Sequence, residues 1–471
     1  MIVVLATLFA CGVIVLLFLL DYDRKAKVSA AIWLPIIWLS LALSRSVSAW
    51  TAAFGATQTG GQSAGGVDAV QMLADGSPLD RNVLTALLAV GVLVLISRQS
   101  QVLKIVQASP WVTLFVLYCG LSLVWSDYPE VGFKRWIRTQ GHVIMVLVVL
   151  TEKDRVAAMK QLLSRIGFLL IPLSILFIRY YPTLGRYYDI WVFRPSPSGV
   201  ATNKNELGML CLVCGLGAVW RLILEFQGPR LAGRLRRAVS QLALLAMTVW
   251  LFYTANSATS LACFLLGSGL IFARGLGPFA KSKKGAHILA GATLGLAFTA
   301  LFLDSSGLLV SLVGRDATLT GRTEIWDVAL ALSGNPLTGV GFGSYWHGER
   351  LKKIWDIYWF HPVQAHSGYL EMYLNIGFIG LALLAMVILA GYQNLAKGFR
   401  QDMEFGRLKL AFFVVAIIYN ATEAAFGGSI WFLLLLSIIA VPSNRPSAAA
   451  PKMEQIPLEV ATDPMRRTVG I

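Results

Sequence analysis

Charge is what this chain has least of. Only 14% of its 471 residues are Asp, Glu, Lys or Arg, while 56% are hydrophobic, a balance that excludes an ordinary water-soluble enzyme. Cysteine is scarce as well, and all five copies (Cys11, Cys119, Cys211, Cys214, Cys263) lie inside apolar runs. That placement excludes a disulfide framework and a zinc site with polar support. Cys211-Leu-Val-Cys214 is a C-x-x-C in spelling only and reads as packed thiols. The sequence has no ATP-binding P-loop, no internal repeat and no matched helix interruptions of the inverted-repeat transporter kind. Gly339-x-Gly341-x-Gly343 has no preceding strand, so it reads as a turn and not as a dinucleotide fingerprint.

Apolar runs fill the space that charge leaves. A bilayer core takes roughly 20 apolar helical residues to cross, and such runs recur at about 2–20, 30–46, 82–97, 110–126, 135–150, 162–180, 204–224, 239–254, 258–273, 286–303, 368–390, 408–423 and 426–441. The expected fold is all-α, a polytopic transmembrane bundle of about 12–14 spans with a large extracytoplasmic loop carrying short helices. The first run has neither a basic leader nor a small-residue cleavage site, so it reads as a span and not as a removed signal.

Basic residues orient the bundle, because short loops rich in Lys and Arg stay cytoplasmic. Alternate loops are basic: Arg24, Lys25 and Lys27; Lys153, Arg155 and Lys160; Arg230, Arg234, Arg236 and Arg237; Arg274, Lys281, Lys283 and Lys284. The loops between them then lie outside, among them 47–81, 181–203 and 304–366. The expected parts are an N-terminal bundle (1–303), a periplasmic loop (304–366), C-terminal helices (367–441) and a disordered cytoplasmic tail (442–471). A net charge of +15 reflects this topology and attraction to anionic membrane lipid, and no nucleic-acid partner follows from it.

Basic residues in the outer loops run against the charge rule and need another reason to exist. Arg186, Arg194 and Lys204 lie in RYYDIWVFRPSPSGVATNKNELG, Arg315 and Arg322 in GRDATLTGRTEIWD, and His361 and His366 in WFHPVQAHSGYLE. Capped by Gly321 or Thr323, a short helix over about 323–332 brings Arg322, Trp326 and Ala329 to one side, with Trp326 an anchor at the membrane interface. His366 stands at the outer start of a transmembrane helix, where backbone N–H groups favour anions. Glu371, one turn inside, is placed to orient a partner. A lone histidine is ordinarily structural, but nearby arginines and a helix end argue for more here. Asp127, Glu130 and Glu423 lie in other outer turns, where carboxylates usually stay in water; they rank second as groups to activate a hydroxyl.

GRTEIWDVALALSGNPLTGVGFGSYW (321–346) followed by AHSGYLEMYLNIGFIGL (365–381) resembles the signature of the bacterial O-antigen ligase and polymerase superfamily. SDYPEVGFKR (126–135), RPSPSGVATNKNELG (194–208) and GSPLDR (76–81) look most like its branch of exopolysaccharide polymerases of the succinoglycan type. The resemblance implies a glycosyltransferase of the bacterial inner membrane, active at the periplasmic face. Its donor would be a glycan linked through diphosphate to undecaprenyl lipid, and its acceptor a glycan hydroxyl. It places the family's loop histidine on His366, its loop arginine on Arg322, and its other diphosphate-binding position on Arg194 or Lys204, with Arg315 beside them. Ser367 stands where many members have asparagine. Arg grips diphosphate bidentately, and diphosphate leaves readily once neutralised, so neither metal nor cofactor is expected and direct displacement predicts inversion. A chain-length regulator or export machinery would be further partners. Competing readings are an O-antigen ligase acting on a lipid A core, a transporter or flippase, and a non-catalytic assembly partner; a transporter would spread charge along a central pathway.

Overall fold

The computed structural model describes residues 1–23, 26–55, 77–191, 193–227, 233–273, 322–398 and 403–441, with isolated positions 291 and 295. The expected span at 286–303, residues 304–321 of the large loop with Arg315, and the tail after Val441 lie outside the described residues. What is described is helical, as the apolar runs require: α1 (Ile2–Asp21), α2 (Trp33–Ala42), α3 (Val47–Gly55), α4 (Pro78–Ser97), α5 (Gln99–Gln107), α6 (Pro110–Leu121), α7 (Pro129–Leu150), α8 (Arg155–Tyr180) and the short α9 (Pro182–Gly185). After a hairpin of β1 (Arg186–Asp189) and β2 (Arg194–Pro197) come α10 (Lys204–Gln227), α11 (Arg234–Ala255), α12 (Ala258–Ala273), α13 (Arg322–Ala331), α14 (Gly348–Ile357), α15 (Gly368–Gly398), α16 (Met403–Thr422) and α17 (Ser429–Ile438).

Among the described residues, seven helices are long and apolar enough to cross a membrane: α1, α4, α8, α10, α11, α15 and α16. Two further expected spans, 30–46 and 110–126, each form part of a bent pair whose other helix falls in an expected loop. Ala30–Ala42 meets Val47–Phe54 at 66°, and Gln99–Gln107 meets Pro110–Trp125 at 91°. Helices α1 and α4 lie at the margin with most of their apolar side chains outward, whereas α10 and α17 are enclosed. Close helix approach needs small residues where lipid supplies no hydrophobic drive. A Cβ on Gly141 of α7 would lie 2.1 Å from the Trp38 ring of α2.

Contacts between the connecting segments fall into two groups. In one, Ser29 and Arg98 meet Glu152, and the Ala440 amide donates to Ser109 Oγ. In the other, the Arg45 amide donates to the Val200 carbonyl, Ser257 Oγ to Asn205 Oδ1, and the Gly368 amide to the Glu423 carbonyl. The face of the first group also holds two ion pairs. Arg221 pairs with Asp21 at 2.7 Å, and Arg237 with Glu225 at 2.9 Å. All four sit within two turns of their helix ends.

The large loop is ordered over its described part, folded around α13 and α14 with its own small core of Ile325, Ala329, Val340, Tyr345, Leu351 and Ile354. Helix α13 starts at Arg322, one residue earlier than expected. The Trp326 Nε1 donates to the Ala365 carbonyl at 2.7 Å and ties the helix to the stretch of chain before His366. GVGFG is the expected turn. Gly339, Gly341 and Gly343 all have positive φ, and a Cβ on Gly339 would lie 2.4 Å from the Asn375 backbone.

This turn enters a break in α15. Gly377 has φ +63°, and the helical ladder fails there. The Phe378 and Ile379 amides donate instead to the carbonyls of Pro336 and Leu337 (2.9 and 3.1 Å), while the Gly341 amide donates to the Asn375 carbonyl (2.9 Å) and Tyr118 to that of Ile376 (3.2 Å). Irregular backbone within a membrane span persists only when protein satisfies its polar groups, and the turn does so here. The hairpin is the second departure from a purely helical reading; Tyr-rich and Pro-rich arms, held in antiparallel register, close the segment before α10.

Candidate functional site

Three distant segments meet on the Glu423 carboxylate. Glu423 follows the end of α16 and is 10% exposed at its side chain. Its Oε1 lies 3.3 Å from a terminal nitrogen of Arg322 at the start of α13, and its Oε2 lies 3.4 Å from His366 Nδ1. Asn205 Nδ2, from the first turn of α10, donates to Oε1 at 3.4 Å. A second nitrogen of Arg322 donates to the Thr422 carbonyl. His366 is the most open member, with a third of its side chain exposed.

His366 is held in an uncommon backbone conformation. Its φ is +51°, a left-handed setting that costs a non-glycine residue on the order of 1–3 kcal/mol and so requires support from both sides. Behind it, the half-buried Glu371 accepts the Ala365 amide (2.6 Å) and the Trp346 indole N–H (2.7 Å). Ahead of it, the Gly368 amide donates to the Glu423 carbonyl (3.2 Å), and a Cβ on Gly368 would collide with Asn420 at 2.2 Å. Glu371 thus fixes the residue before His366, as an orienting group does, without pointing at the open side. The start of α15 is less open to an anion than its sequence position implies, because Glu423 and Ser367 accept the Gly368 and Leu370 amides.

The hairpin brings the other cations to the same face. Lys204 Nζ lies 2.9 Å from Asp189 Oδ2. Burial pushes the Asp189 carboxyl up, but the Lys204 ammonium, the Trp191 amide and the Tyr187 hydroxyl outweigh it and hold it below the usual carboxylate range. Arg194 faces Asp189 in register and is exposed. Since Lys204 precedes Asn205, the hairpin adjoins the Glu423 cluster. Arg45, unremarked in the sequence because it closes an apolar run, joins this face by donating to Ser198 Oγ at 3.3 Å.

The structure therefore unites Arg322 and His366 directly, brings Lys204 next to them through Asn205, places Glu371 beneath His366, and sets Arg194 on the neighbouring hairpin; Arg315 lies outside the described residues. Asp127 is engaged by Arg350 at 2.9 Å. Glu423, ranked second in the sequence, is the hub. Its signal was only an acidic residue in a tight outer turn, and nothing local announces partners about 57 and 101 residues away. Among the described residues no three His, Cys, Asp or Glu side chains are grouped to hold a metal ion.

Residues 242–385 match the O-antigen ligase family, Wzy_C, a window that contains Arg322, His366 and Glu371. The chain is also similar to the exopolysaccharide production protein ExoQ of Rhizobium meliloti (strain 1021), with 27% identity over 299 residues, 60% of this chain. The match spans 64% of that relative's length, a little under two thirds. The family match contains Arg322 and His366, and both similarities agree with the resemblance of the sequence motifs to the O-antigen ligase and polymerase superfamily.

Proposed function

We propose that this chain is a membrane glycosyltransferase that transfers or polymerises glycan carried on undecaprenyl diphosphate, in exopolysaccharide biosynthesis, at the periplasmic face of the inner membrane. The observation that carries the reading is the convergence of Arg322, His366 and Glu423 at the face opposite the basic loops. By the charge rule that face is periplasmic. A lipid diphosphate reaches it from the membrane, with its charge at the interface.

Each residue then has a task. Arg322, Arg194 and Lys204 take the diphosphate, and their charges offset what develops on it as it leaves. With Nδ1–H directed at Glu423, His366 keeps Nε2 free to accept a proton. The acceptor hydroxyl oxygen attacks the anomeric carbon as its proton passes to Nε2; the bond from that carbon to the diphosphate oxygen breaks, and both electrons leave with the phosphate. Glu423 steadies the imidazolium so formed, and Glu371 keeps His366 aimed. A single displacement inverts the anomeric centre, and no step calls for a metal.

Reconstitution with purified lipid-linked repeat units tests the reading. His366→Ala and Arg322→Ala are expected to insert and fold yet to form no long glycan. Chain growth at the wild-type rate in both would overturn it. Supplying a lipid A core acceptor in parallel separates polymerase from ligase.

A further inference from the structure

A second feature of the same face is unexplained by diphosphate chemistry. The tip of the hairpin and the end of α14 expose large aromatic rings to the outside: Trp191 is 60% exposed, Trp359 64% and Phe193 72%. They are not scattered. Trp191 packs against Phe360 with ring centroids 4.9 Å apart and against Trp359 at 5.9 Å, and Trp359 meets Phe360 edge to face at 86°. Two segments from opposite halves of the chain thus build one aromatic surface with faces at steep angles.

Both arms of this surface lead to the candidate site. The second strand of the hairpin starts at Arg194, and the chain runs on from it to Lys204 and Asn205, which touches Glu423. The other arm runs from Phe360 to His366 within six residues, pinned by Trp355 Nε1 on the Pro362 carbonyl at 3.0 Å and by Trp355 stacked on His361. Both segments that carry these rings therefore continue into the candidate site.

We infer that this aromatic surface is a glycan-binding platform for the acceptor chain, on which pyranose rings lay their C–H faces; the inference rests on the glycosyltransferase reading above. Sugars are amphiphilic, with apolar C–H faces rimmed by hydroxyls, and a platform for them mixes rings with polar groups. Such groups are present: exposed Lys352, Lys353 and Asp356 precede Trp359 in α14, and Asp189 and Lys204 lie at the foot of the hairpin. A surface meant to sink among acyl chains would not set a free carboxylate one turn from its principal tryptophan. The angled rings suit successive sugars that turn relative to each other along a chain.

The test uses the full chain in lipid nanodiscs and, as probe, soluble oligosaccharides of graded length made by partial hydrolysis of the cell's own exopolysaccharide. Hydroxyl-radical footprinting read by mass spectrometry should find Trp191 and Trp359 oxidised without sugar and protected by the longer oligosaccharides. Trp191→Ala and Trp359→Ala should each weaken binding roughly tenfold, the loss typical of a tryptophan anchor, whereas Trp191→Tyr and Trp359→Tyr should largely retain it. Protection that does not change with sugar, or tryptophans shielded from the start by lipid, would overturn the platform. Binding by a wild-type protein that never elongates lipid-linked repeats would uphold the platform while sinking the catalytic reading.

Discussion

The molecule holds two buried clusters of carboxylate and arginine, one at each face, and they are built differently. At the face of the basic loops, Asp21 pairs with Arg221 and Glu225 with Arg237 at 2.7–2.9 Å, with Gln241 and Ser164 adding further bonds. All come from helix ends, and the cluster joins α1, α8, α10 and α11. At the opposite face, Arg322 and His366 stand 3.3 and 3.4 Å from Glu423, and both come from the cap and its junction. The first cluster consumes its own charges. The second leaves a histidine a third exposed and contacts long enough for an incoming anion or hydroxyl to compete.

If that contrast reflects use, substitutions at the two faces should fail in different ways. His366→Ala should lower glycan transfer by ~10²–10⁴-fold, the usual contribution of a general base, with the thermal midpoint nearly unchanged; an activity loss matched by unfolding would erase the distinction. Arg221→Ala removes one side of a buried pair and strands Asp21, a change that typically destabilises by about 3–5 kcal/mol. Its signature should be a lower melting temperature in detergent, with activity per folded molecule retained. Glu423→Gln preserves shape but removes the charge that faces His366. A charge-assisted hydrogen bond contributes about 1.5–3 kcal/mol, so the turnover rate should drop roughly 10–100-fold while the apparent donor KM moves much less. Arg194→Ala should be mildest, raising the donor KM up to about fivefold, as an exposed ionic contact does, and the increase should shrink in high salt. A salt-independent effect there would mean that Arg194 acts through packing.

Legibility in the sequence followed the range of the forces involved. Membrane helices announce themselves, because each run must satisfy its own backbone within lipid, and their alternating loop charges were enough to sort the two faces. Arg322 and His366 were conspicuous as basic groups on the wrong side of that rule. Glu423 was not, since a carboxylate in a turn looks solvated until a cap from a hundred residues away closes over it. The same holds for Arg221 and Glu225, whose partners come from α1 and α11. The break at Gly377 escaped for a related reason: NIGFIG is apolar enough to continue a helix, and only the turn carrying Gly339 makes interruption favourable. The hairpin escaped because prolines at 195 and 197 suggest an irregular loop, yet an edge strand tolerates them.

The turn lodged in the broken helix has a consequence for how such proteins can be rearranged. Residues 336–341 complete the ladder that α15 abandons at Gly377, so the cap and the membrane helix share one set of backbone bonds and neither is finished alone. A cap exchanged between relatives to change which sugars are joined must travel with its own break in the helix below. A boundary drawn at the membrane surface, where the sequence invites one, would sever it from the half of its structure that lies inside the bilayer.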